Sequence, residues 1–190
     1  MSAALPTSAA ARIAVLAVAS VVVQIVAVSQ VPIFGVNADL TPLVIMSVGL
    51  LVGSVPGAIV GFAMGLFVDL ALVQTLGVSS LVYLVVGYGS GRVRELYDPQ
   101  ATLTPLAAGA AASAAALVGY SVMQFSLGVE APVSFELLRQ ILLGVLVNTV
   151  IALPVHAIVR RVVEPAMPQD PRRRRRRAST TGGLSPLSRA

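Results

Sequence analysis

The sequence predicts an all-α integral membrane protein of about six transmembrane helices. Three observations point there. Hydrophobic residues make up 56% of the 190 positions, mean hydropathy is +0.89 and only 11% of residues are charged, whereas soluble domains carry about a quarter. Apolar runs of about 17 to 25 residues, the length that crosses a bilayer core as a helix, recur along the chain. The arginines, finally, fall almost entirely in alternate segments between those runs, as the positive-inside rule requires.

The spans are expected at about 12–31, 40–55, 57–73, 77–93, 103–127 and 137–160. Together they form a transmembrane domain over 1–163, followed by a disordered, Arg-rich cytoplasmic tail over 164–190. The first run, Ile13 to Val28, is longer than a signal-peptide core and only Arg12 precedes it; further spans follow, so it reads as an uncleaved helix. Spans two and three are short and divided by Pro56. Fused over 40–73 they would reach about 50 Å, too long for one crossing without severe tilt. Span five, rich in small residues from Ala107 to Ala116, suits tight packing or a groove for a partner helix. Span six carries Asn148 in mid-membrane, expected to hydrogen-bond a neighbouring helix, and His156 one turn before Arg160.

Charge sets the expected orientation. Six spans with a cytoplasmic N-terminus place Arg12, Arg92, Arg94, Arg160, Arg161, the run Arg172, Arg173, Arg174, Arg175, Arg176, Arg177 and also Arg189 inside, leaving Arg139 alone outside. Both termini are then cytoplasmic. Asn37, Asp39, Glu130, Glu136 and Arg139 form the expected outer polar face. Residues 1–171 hold six arginines against eight acids, so the net charge of +5 belongs to the tail. Its six consecutive arginines suit a topology anchor or anionic lipid headgroups, at roughly 1 kcal/mol per residue near the surface. No aromatic residues interleave with them, which argues against specific nucleic-acid recognition.

Glycines at Gly49, Gly53, Gly57, Gly61 and Gly65, followed by Asp69, keep a four-residue rhythm through "PGAIVGFAMGLFVDLA". Positions four apart share one helix face, and glycine there lets another backbone approach. Gly57, Gly61, Gly65 and Asp69 are therefore expected to form a helix-packing or partner face, which makes span three the most enclosed helix. A carboxylate in hydrocarbon costs about 2.5 to 3.5 kcal/mol on the lenient insertion scale. Asp69 thus needs a partner: Arg139, free amides near Gly77 at the start of span four, or water in an outward cavity.

Several chemistries are excluded or disfavoured. No cysteine is present, so disulfides, thiol nucleophiles and thiolate metal sites are impossible. A single histidine argues against a His-ligated metal, and no cofactor is expected. "GYGSGRVRELYDP" (87–99) resembles a phosphate loop superficially, but it follows no strand and reads as a helix end with Arg92 and Arg94 as anchors. Asp39 and Asp69 are the only acids close in topology and no nucleophile accompanies them, so catalysis is not expected.

The segments "NADLTPLVI" (37–45) and "GAIVGFAMGLFVDLALVQTLGVSSLVYLVVGYGSGRV" (57–93) resemble the rod-shape-determining membrane protein family MreD. The matching positions are Asp39 and Leu40, then Gly61, Gly65, Leu66 and Asp69, then Gly77, Tyr83, Gly87 and Arg92. Ala38 stands where the family usually has proline, and the Arg-rich tail is not a family hallmark. The resemblance implies a fold similar to the substrate-binding S-components of vitamin transporters. It also implies a non-enzymatic scaffold of the cell-elongation complex. Its partners would be a bitopic MreC-like protein and, beyond it, MreB, a SEDS-type glycosyltransferase and a class B penicillin-binding transpeptidase. The alternative is the substrate-binding subunit of an energy-coupling vitamin transporter, which needs an aromatic-rich outward pocket. The chain has no tryptophan and few aromatic residues in its outer half.

Overall fold

The structure, a computed structural model, describes residues 6–26, 35–96, 103–128 and 135–167. Six helices follow one another: α1 (Thr7–Val26), α2 (Leu40–Val52), α3 (Ser54–Ala71), α4 (Val78–Leu96), α5 (Leu103–Ser126) and α6 (Phe135–Val163). Helices α1, α3, α5 and α6 are long and apolar enough to cross a bilayer, which makes this a membrane protein. Helix α2 is as apolar but has only 13 residues, about 20 Å at 1.5 Å per residue. Helix α4 carries glycine, serine and arginine through its second half.

The break between α2 and α3 falls at Gly53, not at Pro56. Gly53 sits at φ 118°, ψ 179°, a conformation that side-chain-bearing residues rarely adopt. Pro56 lies in the first turn of α3, where its missing N–H has no intrahelical bond to lose. At the far end, α6 passes into a 3-10 turn at Glu164–Ala166. Residues 164–167 thus continue the ordered bundle, where the sequence suggested that the tail begins.

The central helix is α2, not the third span. Thr41 through Leu50 are all buried, because all five other helices touch α2. Helix α3 instead turns Ile59, Phe62, Leu66, Phe67 and Leu70 outward, an apolar surface suited to lipid. Its opposite face lies against α4, the closest helix pairing in the molecule. Gly57 meets the backbone of Gly87, Gly61 that of Tyr83 and Gly65 that of Ser80. A Cβ on Gly57 would stand 2.5 Å from the Gly87 carbonyl oxygen, so only glycine allows this approach.

Candidate functional site: the capped helix ends

The face holding Gly57, Gly61, Gly65 and Asp69 is filled by α4 of the same chain. Asp69 is completely buried. After α3 the chain turns back through Gly77, at φ +97°, and brings two amides to this carboxylate. The Gly77 N–H donates to Oδ2 at 2.8 Å and the Ser79 N–H to Oδ1 at 3.3 Å. The first amides of a helix have no intrahelical acceptor, and its N-terminal dipole favours negative charge. A residue of α3 therefore caps α4. Of the three partners the sequence left open, the amides near Gly77 are the ones in contact. Arg139 instead pairs with Glu136 at 3.4 Å on the surface of α6.

The second carboxylate, Asp39, caps its own helix. Its Oδ1 accepts from the Thr41 N–H at 3.0 Å, and its Oδ2 accepts from the Tyr83 hydroxyl at 3.3 Å. The Asp39 N–H donates to Asn148 Oδ1 at 2.9 Å. Alongside, Gln24 clasps the same backbone, donating from Nε2 to the Ala38 carbonyl at 2.9 Å and accepting the Leu40 N–H on Oε1 at 2.8 Å. Residues of α1, α4 and α6 thus converge on the head of α2. Asn148 stands near the middle of the 29-residue α6, so this node lies deep in the bundle.

The expected outer polar face is accordingly not one surface. Glu136 and Arg139 are exposed on the first turns of α6, while Asp39, level with Asn148, sits about 18 Å further along that helix at 1.5 Å per residue. The reason is the shortness of α2, whose N-terminus starts partway down the bundle. Asn37 is exposed beside it. Glu130 lies outside the described residues.

A cavity of ≈ 230 Å³ opens over this node. Asn37, Asp39 and Asn148 border it at the α2 end, Leu117, Tyr120 and Ser121 from α5, and Gln140, Ile141 and Gly144 from α6.

At the opposite end the arginines meet helix C-termini. Arg94 donates to the Leu51 carbonyl at 2.6 Å, and Arg12 to the Val162 carbonyl at 3.3 Å. Free carbonyls and a negative dipole end both favour a cation there. Arg92 pairs with Glu95 at 2.8 Å and lies 5.5 Å from the Tyr88 ring centroid. Arg160 pairs with Glu164 at 2.9 Å. Arg161 is exposed on the next position. Arg172, Arg173, Arg174, Arg175, Arg176 and Arg177 lie outside the described residues.

Sequence reasoning missed Gln24 and the capping role of Arg94. Gln24 had a signal, an amide inside an otherwise apolar run; Arg94 read only as an anchor because its target, a backbone carbonyl, leaves no mark in sequence. Chemically, the contacts around Asp39 and Asp69 fix helix ends. Among the described residues no group of three or more His, Cys, Asp or Glu side chains is placed to hold a metal.

A family model described as "rod shape-determining protein MreD" matches residues 9–162. Neither the curated proteins nor the solved structures contain a significant match to the chain.

Proposed function

Because the chain belongs to the MreD family of rod shape-determining proteins, we propose that it is a non-catalytic membrane scaffold of the cell-elongation complex. The observation that carries the reading is the extent of the family match, which takes in all six helices. Membership implies a role in rod-shape determination and favours this reading over the transporter subunit. In the proposal, the chain binds an MreC-like bitopic protein and through it links MreB to the glycosyltransferase and transpeptidase of peptidoglycan synthesis.

The arginine-bearing end, with Arg12, Arg92, Arg94, Arg160 and Arg161, faces the cytoplasm in this reading, and both termini lie there. The tail arginines rest on anionic headgroups. Since α4 occupies the glycine face, the partner's membrane helix meets an outward-facing apolar surface instead. Helix α1 offers one, with Val15, Val18, Val22 and Val26 exposed. Depletion in the source organism, followed by microscopy of cell width, tests the role. Cells should widen and round, and re-expression should restore them. Unchanged width in cells lacking a second family member would contradict the reading.

A further inference from the structure

The cavity above Asp39 and Asn148 has no part in the scaffold reading and stands independently of it. Its ≈ 230 Å³ corresponds to the share of roughly eight water molecules at about 30 Å³ each. Asn148 borders it and is 1% exposed. The Asn148 Oδ1 is taken by the Asp39 N–H; its Nδ2 has no acceptor among the described residues. This nitrogen is not among the fully buried side-chain atoms that lack a partner; it keeps its donor capacity toward the cavity.

Asp39 borders the same space and differs from Asp69 in one respect. Asp69 is sealed, with each oxygen on a backbone amide. Asp39 is half-buried, its Oδ2 accepts the longer 3.3 Å bond from Tyr83, and the Thr41 side chain lies against the same carboxylate. It therefore retains accepting capacity toward the cavity. An acceptor and a donor stand side by side, joined through the backbone of Asp39.

Charge narrows the ligand. Among the described residues that border the cavity there is no arginine, and Asp39 is the one carboxylate, so phosphate or carboxylate groups find no counter-charge there. A free cation gains little, because the Asp39 charge already faces the positive end of α2. A hydroxyl group fits both partners, donating to the carboxylate and accepting from the carboxamide. Gln140 and Ser121 add further polar groups, and Leu117, Ile141 and the Tyr120 ring supply apolar walls for carbon faces. We propose that this cavity binds an uncharged polyhydroxyl group, either a free sugar or the headgroup of a glycolipid.

The full chain in nanodiscs tests this with three probes: glucose by saturation-transfer NMR, and monoglucosyl diacylglycerol against phosphatidic acid by native mass spectrometry. The expected result is binding of glucose or the glucolipid, with phosphatidic acid not retained. Glucose binding identifies a free-sugar site and glucolipid binding alone a headgroup site; both support the proposal. Gly144→Leu fills the cavity, since even a Cβ there lies 3.1 Å from Leu117 Cδ1, and should weaken binding about tenfold or more. Gln140→Ala, at an exposed position, leaves the fold intact and should weaken it about threefold. Absence of binding by both sugar probes, equal retention of phosphatidic acid, or affinity unchanged in Gln140→Ala would overturn the proposal.

Discussion

Charged residues in this bundle sit where helix ends need them. Asp39 and Asp69 meet the N-terminal amides of α2 and α4, and Arg94 and Arg12 meet the C-terminal carbonyls of α2 and α6. Each contact satisfies groups that a helix cannot satisfy itself, and around the fully buried Asp69 there is little water to replace it. Asp69→Ala should therefore lower stability by about 1–3 kcal/mol, the cost of orphaned buried amides. Asp69→Asn keeps one accepting oxygen and should lose less. Arg139→Ala removes only an exposed ion pair and should stay within about 0.5 kcal/mol of the parent. Thermal unfolding in detergent, followed by circular dichroism, ranks the three; an Arg139→Ala loss equal to that of Asp69→Ala would contradict this account. The Asp69 position was legible in sequence from the four-residue rhythm, and its partner was among the three left open. Choosing among them needed the turn at Gly77, which brings the amides to the carboxylate.

At the scale of elements, α3 and α4 are joined backbone to backbone by glycines on both. Gly61→Ala would push a methyl into the Tyr83 backbone, and overpacking of this kind costs about 1–3 kcal/mol. Gly89, on the same α4, faces open space, with no atom within 4 Å of where a methyl would stand; Gly89→Ala should be neutral or mildly stabilising, because alanine is the better helix former. The same unfolding assay compares the pair, and equal losses would show that the stripe is not a tight seam. The stripe was legible because its period matches one helix face. Which helix fills it was not, since Gly87 and Gly91 of α4 read only as glycines of a helix end, with no mark of the helix that they face. The point of the break between α2 and α3 was also hidden: Gly53 ends α2 inside a continuous apolar run, while Pro56, the more visible residue, sits harmlessly in the first turn of α3.

For the whole molecule, composition and arginine placement made the all-helical membrane class legible. They did not reveal that α2 is the centre, because a fully buried helix and a lipid-facing one have the same apolar composition. Nor could the cavity be read, as it is formed by residues from three separate segments that only the tertiary arrangement brings together. The chain contains no cysteine, so single introduced cysteines report topology without background. Gln74→Cys and Gly128→Cys should react with an impermeant maleimide in intact cells. Arg161→Cys should react only after permeabilisation, and labelling of Arg161→Cys in intact cells would reverse the proposed orientation.

The central claim is that this chain binds a bitopic partner through an outward-facing membrane surface, and site-directed photocrosslinking in native membranes tests it most directly. A photoreactive residue would replace Val15 or Val22 on α1, Leu146 on α6, or, as a buried control, Met64, which is 2% exposed. Capture of the MreC-like protein from at least one exposed site, with none from Met64, is the predicted result. Capture of an ATPase module instead, or no protein adduct from any exposed position in cells where the partner is present, would contradict it.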